Sequence, residues 1–127
     1  MNTSLFLANL AVTVLLLVVT LVTGKRGRRR AHFIAAPLTV VSLTLAVWQA
    51  ELYGRDFDFD AVRLNIHLVC AGLSLAALPG TIWTGLRLIR VPQVRLAHKR
   101  WVGIFVICTV LAVATACWMF LTAVPKA

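Results

Sequence analysis

Residues 5–30 read LFLANLAVTVLLLVVTLVTGKRGRRR. From Leu5 to Thr23 there is no charge, and the run closes on five cations, Lys25, Arg26, Arg28, Arg29 and Arg30. An uncharged stretch of this length matches the roughly 20 residues that a helix needs to cross a hydrocarbon core. The cations behind it suit the headgroup layer. The pattern recurs outward along the chain. Ala31 to about Tyr53, Val62 to Leu86, and His98 to about Val124 are three further apolar stretches, and Arg87, Arg90, Arg95, Lys99 and Arg100 cluster around the last gap.

Composition agrees. Of 127 residues, 61% are hydrophobic and 13% charged, with a mean hydropathy of +0.90, whereas a soluble domain has about 45–50% apolar and 25% charged residues. Lipid must solvate most of the surface. Backbone groups in lipid have to be satisfied within their own segment, so the four stretches are read as helices. The expectation is an all-α integral membrane protein of one transmembrane domain, residues 1–127. Its four helices, at about 5–23, 31–53, 62–86 and 98–124, form an antiparallel up-down-up-down bundle. Pro37 falls in the first turns of the second helix, where a missing N–H does little harm, and Pro79 inside the third predicts a kink.

Thirteen Lys and Arg against four Asp and Glu give a net charge of +9. Nucleic acid is not the implied partner, because the cations sit at membrane edges without interleaved stacking aromatics. The cations place the first and third connections in the cytoplasm and both termini outside. Glu51, Asp56, Asp58 and Asp60, the only acids, then fall on the external side. No cation precedes the first segment, so it is read as a retained helix rather than a cleaved signal.

A weak internal repeat accompanies this map. Thr23-Gly24, a basic run and Ala31-His32 parallel Thr84-Gly85, a basic run and Ala97-His98, although glycine and histidine are eight residues apart in the first and thirteen in the second. The second and fourth helices run in the same direction, which puts His32 and His98 at one depth. Histidines on opposing helices of such a bundle commonly clamp a b-type haem, and Arg30, Arg95 and Arg100 are the candidates for its propionates. The plainer reading is that both are amphipathic interface residues.

A second constellation lies toward the other end. His67 and Cys70 are three apart on one helix face, and Cys117 and Met119 are expected at a similar depth. Imidazole, thiolate and thioether suit a soft ion such as Cu(I). The alternative is that these are packing residues. Three cysteines inside apolar helices argue for free thiols. Near the same end, Arg63 with Glu51 or Asp60 reads as a rim ion pair. Gly72, Ala76 and Gly80, four apart, read as a smooth face for close helix approach. No phosphate loop, nucleophile elbow or intramembrane carboxylate pair is present, so catalysis is not expected.

Arg30-Ala31-His32, Asn65-Ile66-His67-Leu68, Ala76-Ala77-Leu78-Pro79, Thr81-Ile82-Trp83-Thr84-Gly85-Leu86 and His98-Lys99-Arg100-Trp101 together resemble the small four-helix bacterial membrane family that includes CtaM. The resemblance covers about residues 28–122. The chain departs from that family at Gln49-Ala50-Glu51-Leu52-Tyr53, where further histidines are common. The resemblance implies a protein of the bacterial cytoplasmic membrane needed for maturation of haem-copper terminal oxidases. It also implies His32, His67 and His98 as contacts for haem or metal, and membrane subunits of a respiratory complex as partners. Two functions stay open: an accessory or assembly factor handling copper or haem, and a small b-type cytochrome in which His32 and His98 ligate one haem. Association with a second copy of the chain is open as well.

Overall fold

The computed structural model describes residues 2–127. Four long helices, α1 (Thr3–Lys25), α2 (Arg29–Gly54), α3 (Ala61–Leu88) and α4 (Arg95–Phe120), account for most of them. All four are long and apolar enough to cross a membrane. The chain is therefore an all-α multi-pass membrane protein. Pro37 and Pro79 lie inside helices that continue through them.

The helices form two compact units, one ending at Phe57 and one beginning at Asp58. The first is the antiparallel hairpin of α1 and α2, the second that of α3 and α4.

Helix boundaries follow from local chemistry. Asn2 Oδ1 accepts the Ser4 N–H at 2.9 Å and starts α1, and Asp60 Oδ1 accepts the Arg63 N–H at 3.0 Å and starts α3. The end of α1 is a Schellman turn. Gly27 has φ +69°, Arg28 N–H donates to Thr23 O at 2.9 Å and Gly27 N–H to Gly24 O at 3.3 Å. A side chain at position 27 would be strained, and the turn returns the chain at once into α2. The third connection, from α3 to α4, is longer. A 3₁₀ turn, Pro92–Val94, with proline at its start, leads into α4.

That turn makes α4 begin at Arg95, earlier than the hydropathy pattern suggests, and α4 ends at Phe120 rather than near Val124. Proline disfavours the α conformation in the residue before it, so Pro125 holds Val124 extended. Asp58 opens the second unit, in which Phe59 meets Phe120 edge-on at 5.1 Å.

Packing is inverted relative to a soluble bundle. The residues buried between α1 and α2 are Thr13, Thr23, Ala35, Thr39, Ser42 and Ala46, while Leu15, Ile34, Val41 and Trp48 point outward. Small and hydroxylated residues bring helix backbones close, and lipid takes the bulky ones. In the second hairpin Ser74, Ala77, Thr84, Phe105 and Met119 are buried. Within this hairpin Gly72 and Ala76 are exposed, and a Cβ on Gly72 would meet nothing within 4 Å. The expected smooth face therefore does not form the contact with α4; only Gly80 does, beneath the Trp101 ring.

Candidate functional site

The two hairpins are closed by the same device. Each returning helix opens on Arg-x-Ala-His, Arg29 to His32 in α2 and Arg95 to His98 in α4, which makes the histidine the fourth helical residue in both. In each, the imidazole lies against the glycine near the end of the preceding helix. A Cβ on Gly24 would come within 3.0 Å of the His32 ring, and one on Gly85 within 3.0 Å of the His98 ring. A side chain there would press on the ring and push it back by a few tenths of an ångström.

The preceding threonine is also shared. Thr23 Oγ1 donates to Val19 O at 2.7 Å, with Thr20 O at 3.1 Å, and Thr84 Oγ1 donates to Gly80 O at 2.7 Å, with Thr81 O at 3.2 Å. Ten residues earlier on each first helix a hydroxyl pairs across the hairpin, Thr13 with Ser42 and Ser74 with Thr109, both at 2.6 Å. Thr13, Thr20, Thr23 and Gly24 recur 61 positions later as Ser74, Thr81, Thr84 and Gly85. The internal repeat is thus present in register, which the unequal glycine-to-histidine spacing obscured.

Hydrogen bonds fix the histidine protons. His32 Nδ1 lies 2.9 Å from Thr20 O, a pure acceptor, so Nδ1 carries the hydrogen. His98 Nδ1 lies 3.0 Å from Thr84 Oγ1, whose own hydrogen goes to a backbone carbonyl, so Nδ1 donates here too. His67 Nδ1 donates to Ala112 O at 3.0 Å, with Thr115 Oγ1 at 3.2 Å. In the neutral form each ring therefore keeps its lone pair on Nε2. All three rings are half-buried and bonded into their own hairpin.

Other sequence candidates fall differently. Cys70 and Cys108 are half-buried, Cys117 is exposed, and all three are free thiols. Among the described residues no three or more His, Cys, Asp or Glu side chains gather where one ion could sit. The third ligand expected from Cys117 is turned away for a geometric reason. Cys117 follows Thr115 by two residues, about 200° around α4, and Thr115 is the residue beside His67. Met119 is buried.

Arg30 lies two residues, again about 200°, from His32, on the opposite side of α2 from the ring. That separates it from the propionate role suggested by sequence. The rim pair is also rearranged. Arg63 donates to Trp118 O at 3.0 Å and lies 4.7 Å over the Trp118 ring, while Glu51 pairs with Arg55 at 2.7 Å. Asp60 is occupied as a helix cap.

A polar cluster in the first hairpin was missed by motif reading. Asn9 Nδ2 donates to Gln49 Oε1 at 2.9 Å and to Ser42 O at 3.3 Å, and Ser42 Oγ reaches Asn9 Oδ1 at 3.2 Å. Asn9 and Gln49, uncharged polar residues inside otherwise apolar stretches, were the available signal. Comparison with known protein families, curated proteins and solved structures finds no match to this chain.

Proposed function

We propose that the protein is a membrane-embedded accessory factor for a haem-copper respiratory oxidase, handling haem through His32 and His98. The observation that supports this is the common hydrogen-bonding of the imidazoles. A histidine that ligates a metal through Nε2 almost always donates Nδ1–H to a carbonyl, carboxylate or water, which fixes the tautomer and raises the basicity of the ligand. Thr20 O and Thr84 Oγ1 do this for His32 and His98.

Bound haem would supply a redox-active iron. The chain's own residues contribute the oriented imidazoles, the glycines that admit them and a lipid-facing shell. Copper has less support, since His67, Cys70 and Cys117 are not part of a three-donor group among the described residues. The second reading, a small b-type cytochrome, rests on the same two imidazoles and differs in whether haem is retained. Partners under either reading are membrane subunits of a respiratory complex in a bacterial cytoplasmic membrane.

The test is a haemin titration of the detergent-purified full chain, followed by absorbance in the Soret region, with the His32→Ala and His98→Ala variants alongside. Binding that both variants weaken, with haem passing to an oxidase subunit, is the result expected of an accessory factor. Stoichiometric haem kept through purification would instead identify the cytochrome. Absence of binding, or binding indifferent to both variants, would remove haem from the function. Nitrogen-15 NMR of the imidazoles provides a second reading, with Nδ1 protonated in all three.

A further inference from the structure

We propose that Arg28, Arg29 and Arg30 form a binding site for the phosphate of an anionic glycerophospholipid whose acyl chain lies along the outer face of α2. The three arginines, with Ala31 and Ile34, line a shallow and mostly apolar groove of about 500 Å³. All three arginines are exposed, and among the described residues no acidic side chain pairs with them. The first turn of α2 contains no acid. The four acids of the chain, at 51, 56, 58 and 60, are too far along the sequence to provide internal neutralisation at the opening of this helix.

An arginine cluster recognises a phosphodiester better than it recognises a simple negative field, because the planar fork donates two parallel hydrogen bonds to phosphate oxygens. The apolar floor distinguishes a lipid from a free anion. Ile34, Leu38 and Val41 follow Arg30 at spacings of four, four and three, which keeps them on one helix face, and they are 60%, 51% and 67% exposed. From Arg30 to Val41 the helix rises about 16 Å, close to the roughly 15 Å of one leaflet's hydrocarbon. At Val40 and Val41 a second groove begins, about 310 Å³ and lined almost wholly by apolar atoms. Head and tail of one lipid thus find cationic and apolar surface in the right order on a single helix. The site is independent of the histidine reading, since Arg30 and His32 face opposite sides of α2.

The test uses native mass spectrometry of the full chain released from detergent, titrated separately with dioleoyl phosphatidylglycerol, dioleoyl phosphatidylcholine and inorganic phosphate. Phosphatidylglycerol is expected to be retained in preference to phosphatidylcholine, with inorganic phosphate failing to displace it. The Arg28→Gln/Arg30→Gln variant should weaken retention about a hundredfold, at roughly tenfold for each charge-assisted hydrogen bond lost. Lys25→Gln/Arg26→Gln removes the same charge from the same connection but outside the groove, and should weaken it much less. Both variants leave three cations in the connection. Equal losses in the two variants would reduce the effect to the general field and overturn the site. Equal retention of the two lipids, or displacement by phosphate, would overturn the lipid assignment.

Discussion

Replacing Gly80 by alanine is the sharpest test of the second hairpin. A Cβ built on Gly80 lies 2.5 Å from Trp101 Cδ2 and Cε3 and 2.7 Å from Cε2, against a carbon–carbon contact distance of about 3.5–4.0 Å. The clash is with the fused edge of the indole, so the whole ring has to move by about 1 Å. Overpacking of this kind costs about 1–3 kcal/mol, and the upper part of that range applies where a rigid ring is displaced. Alanine returns about 1 kcal/mol through helix propensity, which leaves Gly80→Ala destabilised by about 2 kcal/mol. Gly72→Ala on the same helix meets nothing within 4 Å and should gain up to about 1 kcal/mol. Unfolding the two variants by titration with sodium dodecyl sulfate in mixed micelles, read by far-ultraviolet circular dichroism, separates them by about 3 kcal/mol. Trp101→Leu in the Gly80→Ala background should recover part of the loss by making room. If Gly80→Ala matches or exceeds the wild type, or if the double variant shows no recovery, the Gly80–Trp101 contact is wrong.

Two further outcomes are expected. Thr13→Val and Ser74→Ala each remove one partner of a hydroxyl pair between helices and should cost about 0.6 kcal/mol apiece, the average for such bonds in lipid, measured by the same titration; a loss in one hairpin only would deny the equivalence of the two. A topology reporter fused at Gly27 should be cytoplasmic and one fused at Asp58 external, as the flanking cations require, and the reverse pattern would refute the orientation.

The four spans were legible because hydropathy over about twenty residues is insensitive to any single position. Their ends were less so, because capping and proline act on one or two residues. Arg95 could be assigned to α4 only by recognising Pro92 as the start of a turn, and Phe120 as its end only by weighing Pro125 over the apolar Leu121 and Val124. The repeat was half legible for a related reason. Comparing glycine-to-histidine distances compares loops, which tolerate insertion at small entropic cost. Helix register does not tolerate it, and the hydroxyl series from Thr13 to Gly24 survives without slippage as Ser74 to Gly85.

Side-chain direction was the least legible feature, and the small-residue face shows why. Gly72, Ala76 and Gly80 repeat every four residues, and each step of four turns a helix by about 40° past a full turn. Over two steps the line therefore drifts by about 80°, so Gly80 can lie beneath Trp101 while Gly72 is open. Ser74, Ala77, Thr81 and Thr84 spread over a similar arc of about 80°, but that arc is centred about 160° around the helix from Gly72 and only about 80° from Gly80. Of these, Ser74, Ala77 and Thr84 are buried. The same arithmetic turns Cys117 away from His67 once Thr115 faces it. A one-face argument from sequence therefore needs the direction of the partner helix as well as the spacing, and here the line of small residues meets α4 only at its Gly80 end.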